Sequence, residues 1–563
     1  MALTYLERFI HESIGDAYRK LRGVTPTVAT HVQPSDRPEF GDYSSSIAMV
    51  VASQEGIVSR KLATDLVEIL AESLPTSDFR KVEVAGPGFI NIFLAPPRIQ
   101  ESLRQVLEAG DAYGRRKHFG PNRIQVEFVS SNPTGPLTVG HGRQAVLGDV
   151  LARLYVRMGY TVEREYYFND QGRQIDLLAE SLWARHRAIR EMEYQIPLDG
   201  YHGGYLEDVA REVDALPNKE FLEGIKFASF DPMPGEVRAA YREQAVARMI
   251  ARIKDDLKAL GVRFDNWFSE ATLHRSGAVD RALEELKARG AVYEEDGADW
   301  LRVEEHGGAK DSVLRRSDEQ RSYTYLMVDI AYHINKHERG FDRVINVQGA
   351  DHHAEQSCML AAMRLLGYEE DWLQYAVHQF VSLKEGGETL KMSTRAGRFV
   401  TLHDLLEELG GDVVRWFMIS RKPEAHLDFD LDLARTESQD NPATYVQYAH
   451  TRIASIFRKA KLPETEWCGV DLAPLVEPEE LDLIKSLDRF PGVVEKAAEA
   501  FAPHLVTDYA LQLSRAFHAY YDKHRILTDS KRLTHARLAL LHGVKIVLRE
   551  SLLILGMSIP ESM

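Results

Sequence analysis

Two cysteines, Cys358 and Cys468, are all that 563 residues contain. So few thiols exclude a disulfide framework and a cysteine-rich zinc site. They fit a reducing compartment, and the cytoplasm is the expected location. No run of 18 apolar residues occurs, so no membrane span is expected. The first residues, MALTYLERFIHESIGDAYRKL, carry Glu7, Glu12 and Asp16 on an amphipathic pattern. A secretory leader would instead need a basic start and an unbroken apolar core. Internal repeats and low-complexity tracts are also missing, which sets aside solenoids and disordered arrays. Positive charge is in short supply: 69 Lys and Arg face 85 Asp and Glu, a formal −16. That deficit argues against a chain coated in nucleic acid, but a footprint is local and a net charge is global.

What is present is an ordinary globular composition, 44% apolar and 27% charged, on a chain too long for a single core. The expected fold is multidomain α/β. Residues 1–112 read as an N-terminal α+β module, with helices followed by a strand–turn–strand signal in Lys81–Leu94, KVEVAGPGFINIFL. Residues 113–430 alternate strands and helices, the mark of a Rossmann-type parallel sheet with crossover helices. Strand candidates are Ile124–Val129, Thr161–Phe168, Val344–Val347 and Tyr375–Val381. About 170–260 the pattern turns helical and polar, as an insertion would. Residues 431–563 show only amphipathic helical periodicity, in Tyr445–Lys461, His504–His524 and Ser530–Leu555, and imply an all-α bundle.

The densest chemistry lies in Gln125–Asp149, QVEFVSSNPTGPLTVGHGRQAVLGD. A strand leads through turn residues to Gly140-His141-Gly142, where helical periodicity begins. Free N–H groups at a helix start favour a phosphate, and His141 adds a donor. Gly140 and Gly142 would let backbone approach it. A second segment, Val381–Thr394, reads VSLKEGGETLKMST: a strand, a Gly386-Gly387 hairpin, then Lys391-Met392-Ser393-Thr394. A glycine-flanked loop ending in a lysine and hydroxyls is suited to close over a triphosphate. Both loops follow strands, and ligands of doubly wound sheets bind at strand carboxyl ends. Between them VQGADHH places Gln348, Gly349 and Asp351 directly after a strand, with Asp351 suited to a ribose hydroxyl or an ammonium group. The neighbouring His352 and His353 point to different sides of the chain, and no metal site is read there.

These motifs resemble those of class I aminoacyl-tRNA synthetases, and specifically of the arginyl family. Thr138-Val139-Gly140-His141 is similar to the HIGH signature and Lys391-Met392-Ser393-Thr394 to KMSKS. Arginyl context surrounds them in Ser130–Pro136, Asn169-Asp170, Gly200–Gly203, Phe264–Glu270 and Tyr445–Ala449, and in Glu39–Tyr43 and Val84–Phe89 near the N-terminus. Two positions depart. Thr138 stands for the first histidine and Thr394 for the second lysine, with Arg395 or Arg398 as the candidate replacement cation.

The resemblance implies arginine activation by ATP with Mg²⁺, then transfer to the 2′-hydroxyl of the terminal adenosine of tRNA(Arg). It implies that activation requires bound tRNA. Thr138, His141, Lys391 and Ser393 are the implied catalytic groups, and Pro136, Gly140, Gly142, Gly349, Asp351 and Met392 join them around ATP. Glu127, Ser130, Asn132, Tyr325, Asp329 and Gln348 are the implied arginine pocket. A guanidinium calls for carboxylates and an aromatic face, and Tyr325 and Asp329, four apart, would share one helix face. Such a site discriminates without a separate editing domain. The helical domain is expected to read the anticodon region, and the N-terminal module to touch the tRNA body. Residues 515–549 hold eight cations against Asp522 and Asp529, a formal +6. Arg515, Lys523, Arg525 and Arg532 are therefore phosphate-contact candidates, with Tyr445, Tyr448 and Met563 as base contacts. A monomer is expected.

Overall fold

The structure is a computed structural model that describes residues 3–26, 31–35, 37–73, 75–116, 118, 120–216, 233, 235–308, 310–390, 401–461 and 467–563. At its centre five parallel strands run β1 (Arg123–Glu127), β2 (Thr161–Phe168), β3 (Asn266–Ser269), β4 (Arg343–Gly349) and β5 (Leu373–His378). Their order in the sheet is β5-β4-β1-β2-β3. Ile124, Val126, Val344, Ile345 and Val347 are buried, as strands covered on both faces require. The register pairs Glu127 with Asn346 and with Glu165, and Gly349 with His378. Residues at the carboxyl ends of β1, β4 and β5 thus fall along one edge.

Three helices, Gly172–Ile189, Tyr205–Asp214 and Gly235–Ala259, form the insertion between β2 and β3 around their own core of Leu178, Trp183, Leu206, Tyr241 and Met249. The N-terminal module begins with helix Tyr5–Arg22, closed by a capping box between Thr4 and Glu7 and by the left-handed Gly23. Its four-stranded antiparallel sheet includes Phe79–Ala85 and Phe89–Leu94, the two strands read around Gly86–Gly88. The C-terminal bundle contains Pro442–Ala460, His504–Lys523 and Lys531–Leu555, with two shorter helices, Pro478–Asp488 and Phe490–Glu499, that periodicity did not reveal. Module and bundle meet directly. Lys485 pairs with Asp42 at 2.6 Å, and Gln100 donates to the Leu475 carbonyl at 2.9 Å.

Two expectations need correction. Tyr375–Val381 is not one strand: β5 ends at His378, and Val381–Glu385 joins another sheet beside Leu427–Asp430. The break is fixed from outside the segment. The buried Arg143 guanidinium donates to the Gln379 carbonyl at 2.6 Å, and the Gln379 N–H donates to the Pro423 carbonyl. A three-stranded antiparallel sheet, Val292–Glu295, Ala298–Leu301 and Ser312–Arg315, was also unforeseen. Its strands are four residues long, and one carries the buried Asp299 clasped by Arg315 and Arg321, so alternation is hidden.

Candidate active site

Helix Val139–Arg157 follows β1 through the loop 128–138 and starts three residues earlier than the apolar pattern suggested. Its N-cap is Thr138, and the box that closes its first turn is unusual in using a histidine at the third position. The Thr138 N–H donates to His141 Nδ1 at 3.0 Å, and the His141 N–H donates to Thr138 Oγ1 at 3.4 Å. With Nδ1 occupied as an acceptor, the neutral ring carries its proton on Nε2. Burial, helped by His378, lowers the His141 pKa to about 4, so the ring is neutral at physiological pH. His141 is therefore a fixed N–H donor and not a cation.

Beside it lies a cavity of about 460 Å³ at the carboxyl ends of β1, β4 and β5. Thr138, Gly140 and His141 line one side, with Gln348, Gly349 and Asp351 across from them and Glu127, Ser130 and Asp329 at the far end. Asn132 is set just outside, its amide donating to Gln174 Oε1 at 3.1 Å. Pro136 and Gly142 are not on the cavity wall. Gly142 has a packing reason instead: a Cβ there would fall 2.8 Å from Leu402 Cδ1. Close backbone approach to phosphate is thus a reading for Gly140 and not for Gly142.

Lys391, Met392, Ser393, Thr394, Arg395 and Arg398 lie outside the described residues. The residue that follows them is well placed, however. Thr401 forms a β-bridge with Thr138, and the Leu402 N–H donates to the Leu137 carbonyl at 2.8 Å. Thr401 and Leu402, distant in sequence from the first signature, are therefore its neighbours.

At the far end the loop after β1 is strained. Val129 and Ser130 take φ of 68° and 40°, a conformation rare for any side chain and rarer for a β-branched one. The turn aims Ser130 Oγ at Glu127 Oε1, 2.7 Å away, while the Tyr167 N–H donates to Ser130 Oγ at 3.2 Å. Helix Tyr325–Glu338 supplies Asp329, whose half-exposed carboxylate faces the cavity. Burial among the cavity walls, then the nearby Glu127, pushes Asp329 up to about 7 in the empty site. Tyr325, at the start of that helix, is 72% exposed and opens onto an adjoining cavity shared with Asn169, Gln174, Glu270 and Tyr323.

Sequence reasoning passed over four groups here. His378 lines the cavity, and its buried Nε2 has no hydrogen-bond partner among the described residues. Phe380 exposes its ring at the cavity wall, and Gln144 ties the signature helix to the β4 carbonyl of Val347 at 2.5 Å. Lys336 pairs with Glu127 from two turns beyond Asp329. The helical spacing of Asp329, Lys336 and Arg339 was available in the sequence, but their strand partners were not.

Three family models match successive stretches: "Arginyl tRNA synthetase N terminal domain" over 8–94, "tRNA synthetases class I (R), catalytic domain" over 102–415, and "DALR anticodon binding domain" over 446–563. The arginine–tRNA ligase of Thermotoga maritima is 41% identical over 556 residues, 98% of this chain and 99% of that one. The chain belongs to the arginyl-tRNA synthetase family. That of Geotalea uraniireducens is 42% identical over 548 residues, 96% of each chain. A solved structure of a putative arginyl-tRNA synthetase from Campylobacter jejuni superposes with a TM-score of 0.74 at 32% identity, covering 83% of this chain and 99% of that one. The Thermus thermophilus arginyl-tRNA synthetase shares the fold at TM-score 0.75 and 24% identity, covering 99% of this chain and 100% of that one. As a member of the arginyl-tRNA synthetase family, the chain is a class I ligase that uses ATP to charge tRNA(Arg) with arginine.

On the synthetase's helical bundle, Tyr445 and Tyr448 flank the buried His518, with ring centroids 5.0 and 5.7 Å from it. The basic stretch is less free than its sequence implies. Lys523 pairs with Glu479, Arg532 with Asp471, Arg537 with Glu480, Lys545 with Glu561 and Arg549 with Asp111. Arg515, Arg525 and Lys531 are exposed and have no ion pair among the described residues. Met563 is 65% exposed.

Proposed function

We propose that the cavity at the ends of β1, β4 and β5 is where arginine meets ATP. The observation that carries this is its two-sided lining: a helix N-terminus with a neutral histidine on one side, carboxylates on the other. ATP lies with its phosphates against Gly140, the first turn of the signature helix and His141 Nε2–H. Lys391 and Ser393 are the proposed partners of its phosphates from the second signature, and Asp351 takes the ribose. Phe380 offers an aromatic surface for the base. Arginine places its guanidinium on Asp329 and Tyr325, with Glu127 behind, and its α-amino end toward Ser130, Asn132 and Gln348.

The arginine carboxylate oxygen attacks the α-phosphorus, the bond to pyrophosphate breaks, and arginyl-adenylate remains. Charge building on the phosphate oxygens is met by donors already oriented, which is the main source of acceleration in such sites. The 2′-hydroxyl of the terminal adenosine then attacks the carbonyl carbon and AMP leaves. Mg²⁺ enters with ATP and, when bound, offsets phosphate charge. Among the described residues no group of three His, Cys, Asp or Glu is placed to hold a resident ion.

The division into 1–112, 113–430 and 431–563 assigns tRNA body contact, catalysis and anticodon contact in turn. Arg515 and Arg525 are the phosphate contacts best supported by their freedom from ion pairs, ahead of Lys523 and Arg532. Tyr445, Tyr448 and Met563 are offered to bases. A monomer working in the cytoplasm fits the two free cysteines, and no described helix is long and apolar enough to cross a membrane.

ATP–pyrophosphate exchange across the amino acids, with and without tRNA(Arg), tests the reading. Exchange specific for arginine and appearing only with tRNA supports it. Exchange with another amino acid, or none, overturns it.

A further inference from the structure

Lys336 is fully buried, and its ammonium lies 2.5 Å from Glu127 Oε2 and 3.0 Å from Asn346 Oδ1. The third side of the ammonium faces the Tyr332 ring, 4.4 Å from its centroid. Asn346 is itself fixed. His333 Nδ1 lies 2.8 Å from the Asp329 carbonyl and so bears the proton, which leaves Nε2 to accept from Asn346 Nδ2 at 2.8 Å. A buried ammonium is costly unless paired and hydrogen-bonded, and this one is both. Its partner is then occupied at both ends: Glu127 Oε1 accepts from Ser130, and Oε2 accepts from Lys336. Glu127 cannot turn to a ligand without giving up one of these bonds.

Charge matters as much as geometry. With Glu127 neutralised by Lys336, Asp329 is the carboxylate left to meet an incoming cation, and the three groups together carry one negative charge. We propose that Lys336 is a positioning and specificity-determining residue: a resident cation that cancels Glu127, so that the pocket is matched to one guanidinium delivered onto Asp329. The proposal rests on the reading of this pocket as the arginine site. The two further carboxylates near Asp329 have partners of their own: Tyr167 donates to Glu270 at 2.5 Å, and His352 Nδ1 lies 2.7 Å from Glu355. Glu127 from β1, Glu270 after β3, Glu355 on the helix after β4, and the tyrosines Tyr167 on β2 and Tyr375 on β5 face Asp329, with His333 and Lys336 from its own helix. Lys336 is the cation among these that draws the Asp329 pKa down against the carboxylates.

The test is arginine-dependent ATP–pyrophosphate exchange by the full chain with tRNA(Arg), measured against pH for Lys336→Met, for Lys336→Met/Glu127→Gln and for Asp329→Asn. Lys336→Met is expected to raise the arginine KM about fivefold at pH 7 and to move its pH inflection up by about one unit, with the ATP KM unchanged within about twofold. The double variant restores one net negative charge and is expected to return the inflection to the parent's value. An unmoved inflection in Lys336→Met, or no return of the inflection in the double variant, overturns the proposal. So does failure of the double variant to fold, since no uncompensated carboxylate is left to blame. If Asp329→Asn leaves the arginine KM unchanged, the pocket reading itself is wrong; if it raises that KM while Lys336→Met leaves the inflection in place, only the role of Lys336 falls.

Discussion

The two ends of the cavity are built on opposite plans. At the amino-acid end the polar groups around Asp329 are engaged before any ligand arrives, Glu127 with Ser130 and Lys336, Asn346 with Lys336 and His333, and Asp329 is left to receive the ligand. At the phosphate end His141 and His378 each have one nitrogen committed and the other without a partner among the described residues. A substrate that must be chosen among twenty meets a prebuilt charge pattern. A triphosphate, which needs stabilising chiefly as it reacts, meets the His141 Nε2–H held in reserve, while His378, whose Nδ1–H goes to the Gln379 carbonyl, offers its Nε2 as an acceptor. Binding energy at the first end selects, and hydrogen bonds completed late at the second accelerate.

Substitutions should separate these plans by kinetic signature. The largest effect is expected for His141→Ala: a loss of about 10²–10³ in kcat for arginine activation, or ~3–4 kcal/mol, with the arginine KM within about threefold. A KM effect of the same size would erase the distinction between the ends. Asp329→Asn should do the reverse, raising the arginine KM at least about 30-fold while the ATP KM stays put, because one partner of a desolvated charge pair is gone. In the unaltered protein the arginine KM should climb about tenfold per unit as pH falls below about 7, because the Asp329 carboxyl then holds a proton in the empty pocket. His141, lowered to about 4, should give no inflection between pH 6 and 8 in the rate at saturating substrates. The smallest change is expected for Thr138→Ala, about 1 kcal/mol of stability in thermal or urea unfolding from the lost cap, with kcat reduced less than about tenfold.

What could be read in advance follows the range of the interactions involved. Tyr325 and Asp329 are four apart on one helix, as local periodicity required, but they line different cavities. Lys336 and Arg339 continue the same stripe, but their partners Glu127, Glu163 and Glu165 sit on strands more than 170 residues away. The basic stretch misled for the same reason. Five of its eight cations are engaged by Asp111, Asp471, Glu479, Glu480 and Glu561, none of which lies within it. Strain at Val129 was invisible because valine is the residue least expected at φ of 68°. Gly142 was read through its motif, when its neighbour Leu402 explains it.

The hydrogen bond from the Thr138 main-chain N–H to His141 has a consequence for how this site tolerates change. The direction in which the ring presents its proton is written into the backbone and not into any side chain at 138. Every residue type except proline carries that N–H. Position 138 is thereby free to exchange a second ring for a better cap, and the reacting donor keeps its address.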